Sequence, residues 1–333
     1  MSKIISFFKI AMPLAFGVFL IWYVFKDLND QEKKDLSVAL KQADYFWVVF
    51  SVSLGVLSHL SRAVRWKYTI QPLGKTPNVW NSFFTVMIGY AANYALPRLG
   101  EVTRPGLLAK YEGLPFQKLF GTIVAERVAD LIILAGIMAA IILIELDLLK
   151  ENLVGFFSQG LEKFTMNQLI LGLSVVGILL IVVLILLLKK TSNPLLIKVR
   201  GLIRGVFEGA QSILRMENKG YFLLHTAFIW IMYIGMFYAC FFSLEETSSV
   251  PFTAVMSSFV MGSLAIVFVQ GGLGVFPLAI METLMLYGVS KTSALALGWI
   301  LWSSQTLMVI ILGVLSIPLL RYYNRNKVIH ASN

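Results

Sequence analysis

NYALPRLGEVTRPG, residues 93–106, breaks a chain that is otherwise overwhelmingly apolar. The run before it, VWNSFFTVMIGYAA over 79–92, begins like a membrane helix and then gives way to two prolines, two glycines, two arginines and a glutamate. Proline and glycine stop helices, and irregular backbone at membrane depth is tolerated only where protein or a wet cavity satisfies its polar groups. How this stretch is read therefore decides the fold.

Working outward, 58% of the 333 residues are hydrophobic, only 14% are charged, and the mean hydropathy is +0.78. Those values lie outside the range of soluble domains and predict a polytopic membrane protein of all-α class. Crossing about 30 Å of hydrocarbon takes roughly 20 apolar residues. Runs of that kind fall near 4–25, 45–61, 119–144, 167–188, 220–242 and 293–320, and two more, 79–97 and 252–289, are interrupted. The first run is long and aromatic, with no small-residue cleavage site after it, so it reads as a retained anchor.

Charge orders these runs in the membrane. Lys3 and Lys9, the acid-free segment 62–78, the segment 189–219 with seven bases against two acids, and Arg321, Arg325 and Lys327 form one group. Segments 26–44, 145–166 and 243–251 carry six bases against eleven acids. The positive-inside rule places the first group, with both termini, in the cytoplasm of a cell inner membrane and the second outside. The run 119–144 must then start inside, so 79–97 is not a simple crossing: it enters, turns at or near LPRLGE and returns, the alternative being a proline-kinked full crossing, which would put the seven-base segment outside. By the same parity 252–289 dips in from outside and turns at QGGLGVFP. The expectation is six transmembrane helices plus two re-entrant helical hairpins, their turns marked by Pro97, Gly100, Gln270, Gly271, Gly272, Gly274 and Pro277.

The pattern also repeats, with pseudo-repeats 1–150 and 160–325 inside one integral membrane domain, 1–333. Three crossings per half is odd, so the second half is inverted, an arrangement that places binding sites at paired interrupted segments. Segment 194–219 reads as an amphipathic cytoplasmic helix on the anionic leaflet, and 26–44 and 146–166 as weaker interfacial helices.

Chemistry is mostly excluded. Cys240 is the single cysteine, His59, His225 and His330 are scattered, and no Walker, GxGxxG or GxSxG pattern occurs. No metal, cofactor or nucleic-acid partner is expected, and oligomeric state is left open between monomer and homo-oligomer. What stands out is FQKLFGTIVAERVADLIIL over 116–134, where Glu126, Arg127 and Asp130 interrupt an apolar span. Each costs roughly 2.5–3.5 kcal/mol at a helix centre, so each normally faces a partner or a wet cavity. Arg127 and Asp130, at i and i+3, are spaced to pair. A carboxylate is left over, for which Arg98 and Arg104 are the available cations. One reading is a buried salt-bridge network that locks the hairpin; the other is a site for a charged headgroup, since guanidinium binds phosphate oxygens in pairs.

The arrangement N-x-x-LPRxGEhxR, then ERhxD some twenty residues on, with Arg62, Arg65 and Trp66 after the second helix and a late GGLG, resembles the lysylphosphatidylglycerol synthase transmembrane-region family. The likeness runs along essentially the whole chain. It implies flippase-like integral membrane proteins in which Asn93, Arg98, Glu101, Arg104 and Arg65 bind substrate and Glu126, Arg127 and Asp130 form an intramembrane charge network. The family's usual PGGhGxxE is here QGGLGVFP, and Glu282 is the candidate for the missing carboxylate. The soluble domain that makes the lipid in some relatives is not in this sequence. The resemblance therefore implies a non-enzymatic protein that translocates an anionic lipid, of phospholipid or polyprenyl-phosphate type, between leaflets. A non-transporting scaffold or regulator, and an intramembrane lipid transferase using Glu126 or Asp130 as base, are the alternatives.

Overall fold

The computed structural model describes residues 17–19, 21–23, 25–96, 98–145, 213 and 215–325. The expected crossing at 167–188, most of the 194–219 helix, the 146–166 segment, the start of the first run and Pro97 lie outside them. Among the described residues the protein is all-helical.

The helices are α1 (Asp30–Gln42), α2 (Tyr45–Ile70), α3 (Val79–Ala95), α4 (Leu99–Glu112), α5 (Phe116–Ile144), α6 (Lys219–Phe241), the single turn α7 (Glu245–Ser248), α8 (Phe252–Phe268), α9 (Val275–Met285) and α10 (Lys291–Tyr323). Four helical segments are long and apolar enough to cross a membrane: Tyr45–Leu73, Phe116–Ile144, Lys219–Phe241 and Lys291–Tyr323. Their starts are set locally. Asp44 caps α2 through Phe46 N, Asn78 caps α3 through Trp80 N, and Ser290 caps α10 through Ser293 N, each satisfying a backbone N–H left free at a helix start.

Both interrupted runs fold back on themselves. Asn93 Oδ1 accepts from Gly100 N at 2.8 Å beside the first turn, and at the other end Glu112 Oε1 accepts from Asn78 N at 3.2 Å and from Asn81 Nδ2. α3 and α4 are thus an antiparallel hairpin whose start and finish lie side by side. Gly89 and Gly100 let the two backbones touch, for a Cβ on Gly100 would run into the Gly89 carbonyl oxygen. α8 and α9 do the same around Gly262, where a Cβ would stand 2.7 Å from the Phe276 ring. Ser257 and Tyr287 share a 3.0 Å hydrogen bond near the open end. The second turn is made by Gly271, Gly272 and Gly274, all with left-handed φ between 67° and 73°, backbone that only glycine adopts freely.

The two hairpins point at each other. Trp302 Nε1 donates to Gly271 O at 2.6 Å, and four residues on, Thr306 shares a 3.3 Å hydrogen bond with Tyr94 OH. Both turns therefore meet along the middle of α10. α2 and α6 run antiparallel beside them, tied by Ser51 Oγ to Met236 O at 2.6 Å and Ser61 Oγ to His225 Nδ1 at 2.8 Å. Two apolar cores result: α2, α3, α4 and α10 around Trp66, Met87 and Leu108, and α6, α8, α9 and α10 around Phe241, Ile280 and Leu295. Small residues admit the close crossings, as expected where packing rather than water exclusion drives helix association: Gly313 lies against Ala91, and a Cβ on Gly298 would come within 2.7 Å of Pro277 O.

The same contacts sort the charges. The end holding Ile70, Asn78, Glu112 and Lys219 carries Lys67, Lys75, Lys110, Lys118 and Arg321, whereas the end holding α1, Glu145, α7 and the start of α10 carries the acids Asp27, Asp30, Glu32, Asp35, Asp44, Glu245 and Glu246 alongside Lys26, Lys33, Lys34, Lys41 and Lys291, so that acids outnumber bases there among the described residues.

Candidate functional site: a buried arginine–carboxylate network

α2 does not stop near residue 61. It continues to Ile70 and carries Arg62 and Arg65 inside the bundle, 5% and 0% exposed. This corrects the expected boundary, in which 62–78 is a loop, and the reason is electrostatic: the helix can run on because a carboxylate meets its arginines. Asp130 of α5 lies 2.7 Å from Arg62 Nη1 and 2.8 Å from Arg65 Nη1, with Arg65 Nη2 also donating to it at 3.2 Å. Arg65 Nη1 further donates to Thr226 Oγ1 at 3.1 Å, and Arg62 Nη2 to Tyr233 OH at 3.1 Å, both on α6.

One turn earlier on α5, Glu126 is 1% exposed and accepts from Arg104 Nη2 of α4 at 2.9 Å. The Arg104 guanidinium sits 3.8 Å over the Trp66 ring, whose Nε1 donates to Thr122 Oγ1 at 2.8 Å. Arg104 is thus the link between hairpin and bundle, held by charge on one side and by an aromatic face on the other. Of the two expected cations for Glu126, the structure selects Arg104.

Three buried arginines face two carboxylates, so the network holds one positive charge in excess. Among the described residues several of its polar atoms have no protein partner: Nε of Arg62, Arg65 and Arg104, and Glu126 Oε1. A buried polar atom without a partner is costly, and these atoms are three donors and one acceptor that no protein group satisfies among the described residues. An excess guanidinium set with free Nε donors is suited to a phosphate oxygen. Among the described residues no three His, Cys, Asp or Glu side chains converge as metal ligands.

The other expected site residues fall in three places. Arg98 is exposed at the hairpin turn as the N-cap of α4, with φ 62° and ψ 7°, the one described non-glycine residue with positive φ. Asn93 braces the turn from below, and Glu101 stands half-buried in the first turn of α4. Gly271, Gly272, Gly274 and Pro277 build the second turn and its return helix, and Gln270 starts that turn. Glu282 is exposed on α9, three residues before its end. Arg127 does not pair with Asp130: the helical spacing allows it, but Arg62 and Arg65 already occupy that carboxylate, and Arg127 faces outward.

Sequence reasoning did not place Tyr233, Thr226 or Trp66 in the network, or pair Arg62 with Asp130. The available signal was the i,i+3 spacing of Arg62 and Arg65, which sets both on one helix face together with Ser58 and Ser61.

A family model described as the lysylphosphatidylglycerol synthase TM region matches residues 10–313 of this chain. The chain is also similar to a UPF0104 membrane protein of Methanocaldococcus jannaschii, 34% identical over 87 residues, or 25% of this chain and 26% of that protein. The matched stretch thus spans about a quarter of the curated relative. No solved structure matches.

Proposed function

The chain belongs to the lysylphosphatidylglycerol synthase transmembrane-region family, and from that premise we propose that it is a non-enzymatic membrane protein that binds an anionic lipid and moves it between leaflets. The observation that carries this reading is the buried excess of arginine. Arg62, Arg65 and Arg104 outnumber Asp130 and Glu126 inside the bundle, against a hairpin rather than within one rigid crossing. A structural network alone would be expected to balance, since each unmatched buried charge carries a large desolvation cost. The phosphate of a phospholipid or polyprenyl-phosphate carrier supplies the missing anion.

In this reading the chain makes six crossings with the basic end in the cytoplasm, and halves 1–150 and 160–325 are inverted about an axis in the membrane plane. The α3–α4 hairpin enters from the cytoplasmic side and the α8–α9 hairpin from the opposite side. Their meeting turns, with Arg98 and Glu101 on one and the glycines on the other, form the polar path for the headgroup, while the acyl chains stay in lipid. Arg104 receives the phosphate through its unsatisfied Nε, beside its single bond to Glu126.

A scaffold without transport is favoured by one observation, that both carboxylates are already paired. Purified protein in vesicles separates the two. Leaflet exchange of a labelled phosphatidylglycerol or polyprenyl phosphate should require the protein and fall at least about tenfold in Arg104→Gln, with folding checked by thermal unfolding. Exchange equal to that of empty vesicles for both lipids would leave the scaffold.

A further inference from the structure

Among the described residues α5 is the least covered of the four long apolar helices: 6% of its most apolar 18-residue stretch is buried inside the protein, against 33–44% for the other three. Its outer side is a stripe at helical spacing, Phe120, Val124, Arg127 and Leu131, all exposed. Three of these suit lipid chains. The fourth is a guanidinium about 16 Å along the helix from its start at the basic end, a distance of about half the ~30 Å hydrocarbon thickness.

Arg127 has no carboxylate among the described residues. Asp130, its neighbour at i+3, is held by Arg62 and Arg65, and Glu126, about 100° round the helix, points into the bundle toward Arg104. An outward-facing arginine at this depth requires an anion, which it gets by reaching toward the interface and drawing a headgroup inward. Guanidinium matches phosphate oxygens two at a time, and phospholipid phosphate is the anion that the surrounding apolar stripe brings within reach.

We infer that the outward face of α5 around Arg127 is a lateral docking site for the phosphate of an anionic phospholipid in the leaflet at the basic end. This deepens the proposed function and rests on it in one respect: Glu126 and Arg127 are consecutive, so a headgroup held at Arg127 waits one helix thickness from the buried network. Docking itself needs no transport.

The test is native mass spectrometry of the full chain taken from nanodiscs of phosphatidylglycerol and phosphatidylcholine, comparing wild type with Arg127→Leu, Arg127→Lys and Arg104→Gln. Arg127→Leu extends the apolar stripe, so insertion is retained; Arg127→Gln serves if it is not. Retention of one phosphatidylglycerol should weaken at least about tenfold in Arg127→Leu, consistent with loss of a charge-assisted bond, and survive in Arg127→Lys. Unchanged retention in Arg127→Leu overturns the site. So does a wild-type dimer that Arg127→Leu dissociates, because a second copy then covers the face. If wild-type leaflet exchange equals that of empty vesicles while Arg127→Leu loses its lipid, the docking site stands and the transport reading fails.

Discussion

Arg104 and Glu126 lie 2.9 Å apart on helices joined only by the short link after Gly113, and both are buried, 7% and 1% exposed. The pair closes the hairpin against the bundle wall. Removing one partner leaves the other charge buried without a match, which costs about 3–5 kcal/mol in comparable pairs, whereas replacing both with apolar groups is often neutral. Glu126→Gln should therefore lower the unfolding temperature in detergent markedly. Arg104→Met with Glu126→Leu should restore most of it while abolishing leaflet exchange, because the fold needs only the packing and the translocated headgroup needs the guanidinium.

Asp130 is shared by two arginines, and that makes it more sensitive than either. Asp130→Asn leaves Arg62 and Arg65 facing each other with no anion between them, so about 3–5 kcal/mol should be lost, more than in Arg62→Gln, where Arg65 keeps its two bonds to Asp130. A double-mutant cycle of Asp130→Asn with Arg65→Gln, read by thermal unfolding, should give a coupling energy well above the few tenths typical of exposed pairs.

At the hairpin turn, backbone and function pull in different directions. Arg98 holds φ 62°, a conformation that costs a non-glycine residue about 1–2 kcal/mol. Arg98→Gly should consequently raise thermal stability by about 1 kcal/mol and, if the guanidinium at the turn meets the headgroup, slow leaflet exchange. Gly100→Ala should do the reverse, costing about 1–3 kcal/mol by overpacking, because its Cβ meets the Gly89 carbonyl. Gly106→Ala is the control, with nothing nearer than Phe116 at 4.0 Å.

Much of this was legible in the residues. The folding back of 79–112 follows from proline, glycine and charge where a crossing should continue, and the broken run at 252–285 from its cluster of glycines. The pairing of the charges was not legible. Helical spacing offered Arg127 to Asp130, but spacing says which residues share a face of one helix and nothing about which helix faces it. Arg62 and Arg65 read as the start of a loop because a hydropathy window scores an arginine alike whether it meets water or a carboxylate. Only the antiparallel contact of α2 with α6, and of both with α5, reveals that these arginines continue a span.

On the acidic end, Glu246 clamps the start of α10, accepting from Ser290 N at 2.5 Å and from Ser290 Oγ at 2.6 Å. Partial burial pushes its carboxyl up, but the hydrogen bonds from Ser290 and Ser293 outweigh that and hold it below its ordinary value of 4.5. A depressed folded-state pKa gives stability that is present above the unfolded value and lost as pH falls through the folded one. Wild type should therefore unfold slightly above Glu246→Gln at pH 7, by less than ~1 kcal/mol since the group is largely exposed. The gap should close as pH falls through and below the lowered pKa of Glu246, measured as unfolding temperature against pH.

The membrane disposition of the first hairpin can be read chemically. Glu112 bonds to Asn78 and Asn81, so the chain leaves the hairpin where it came in. In a Cys240→Ser background, cysteines at Lys75 and Lys110 flank the hairpin, and one at Glu245 lies at the far end of α6. An impermeant maleimide applied to oriented vesicles should label positions 75 and 110 from one side and 245 from the other. A kinked full crossing would instead put 75 and 110 on opposite sides. It would also carry the basic loops on both sides of the hairpin into different compartments, against the charge bias that orients the chain. Labelling of 75 and 110 from opposite sides would refute the re-entrant hairpin and the inverted repeat built on it, while leaving the arginine network, which depends only on contacts within the bundle, in place.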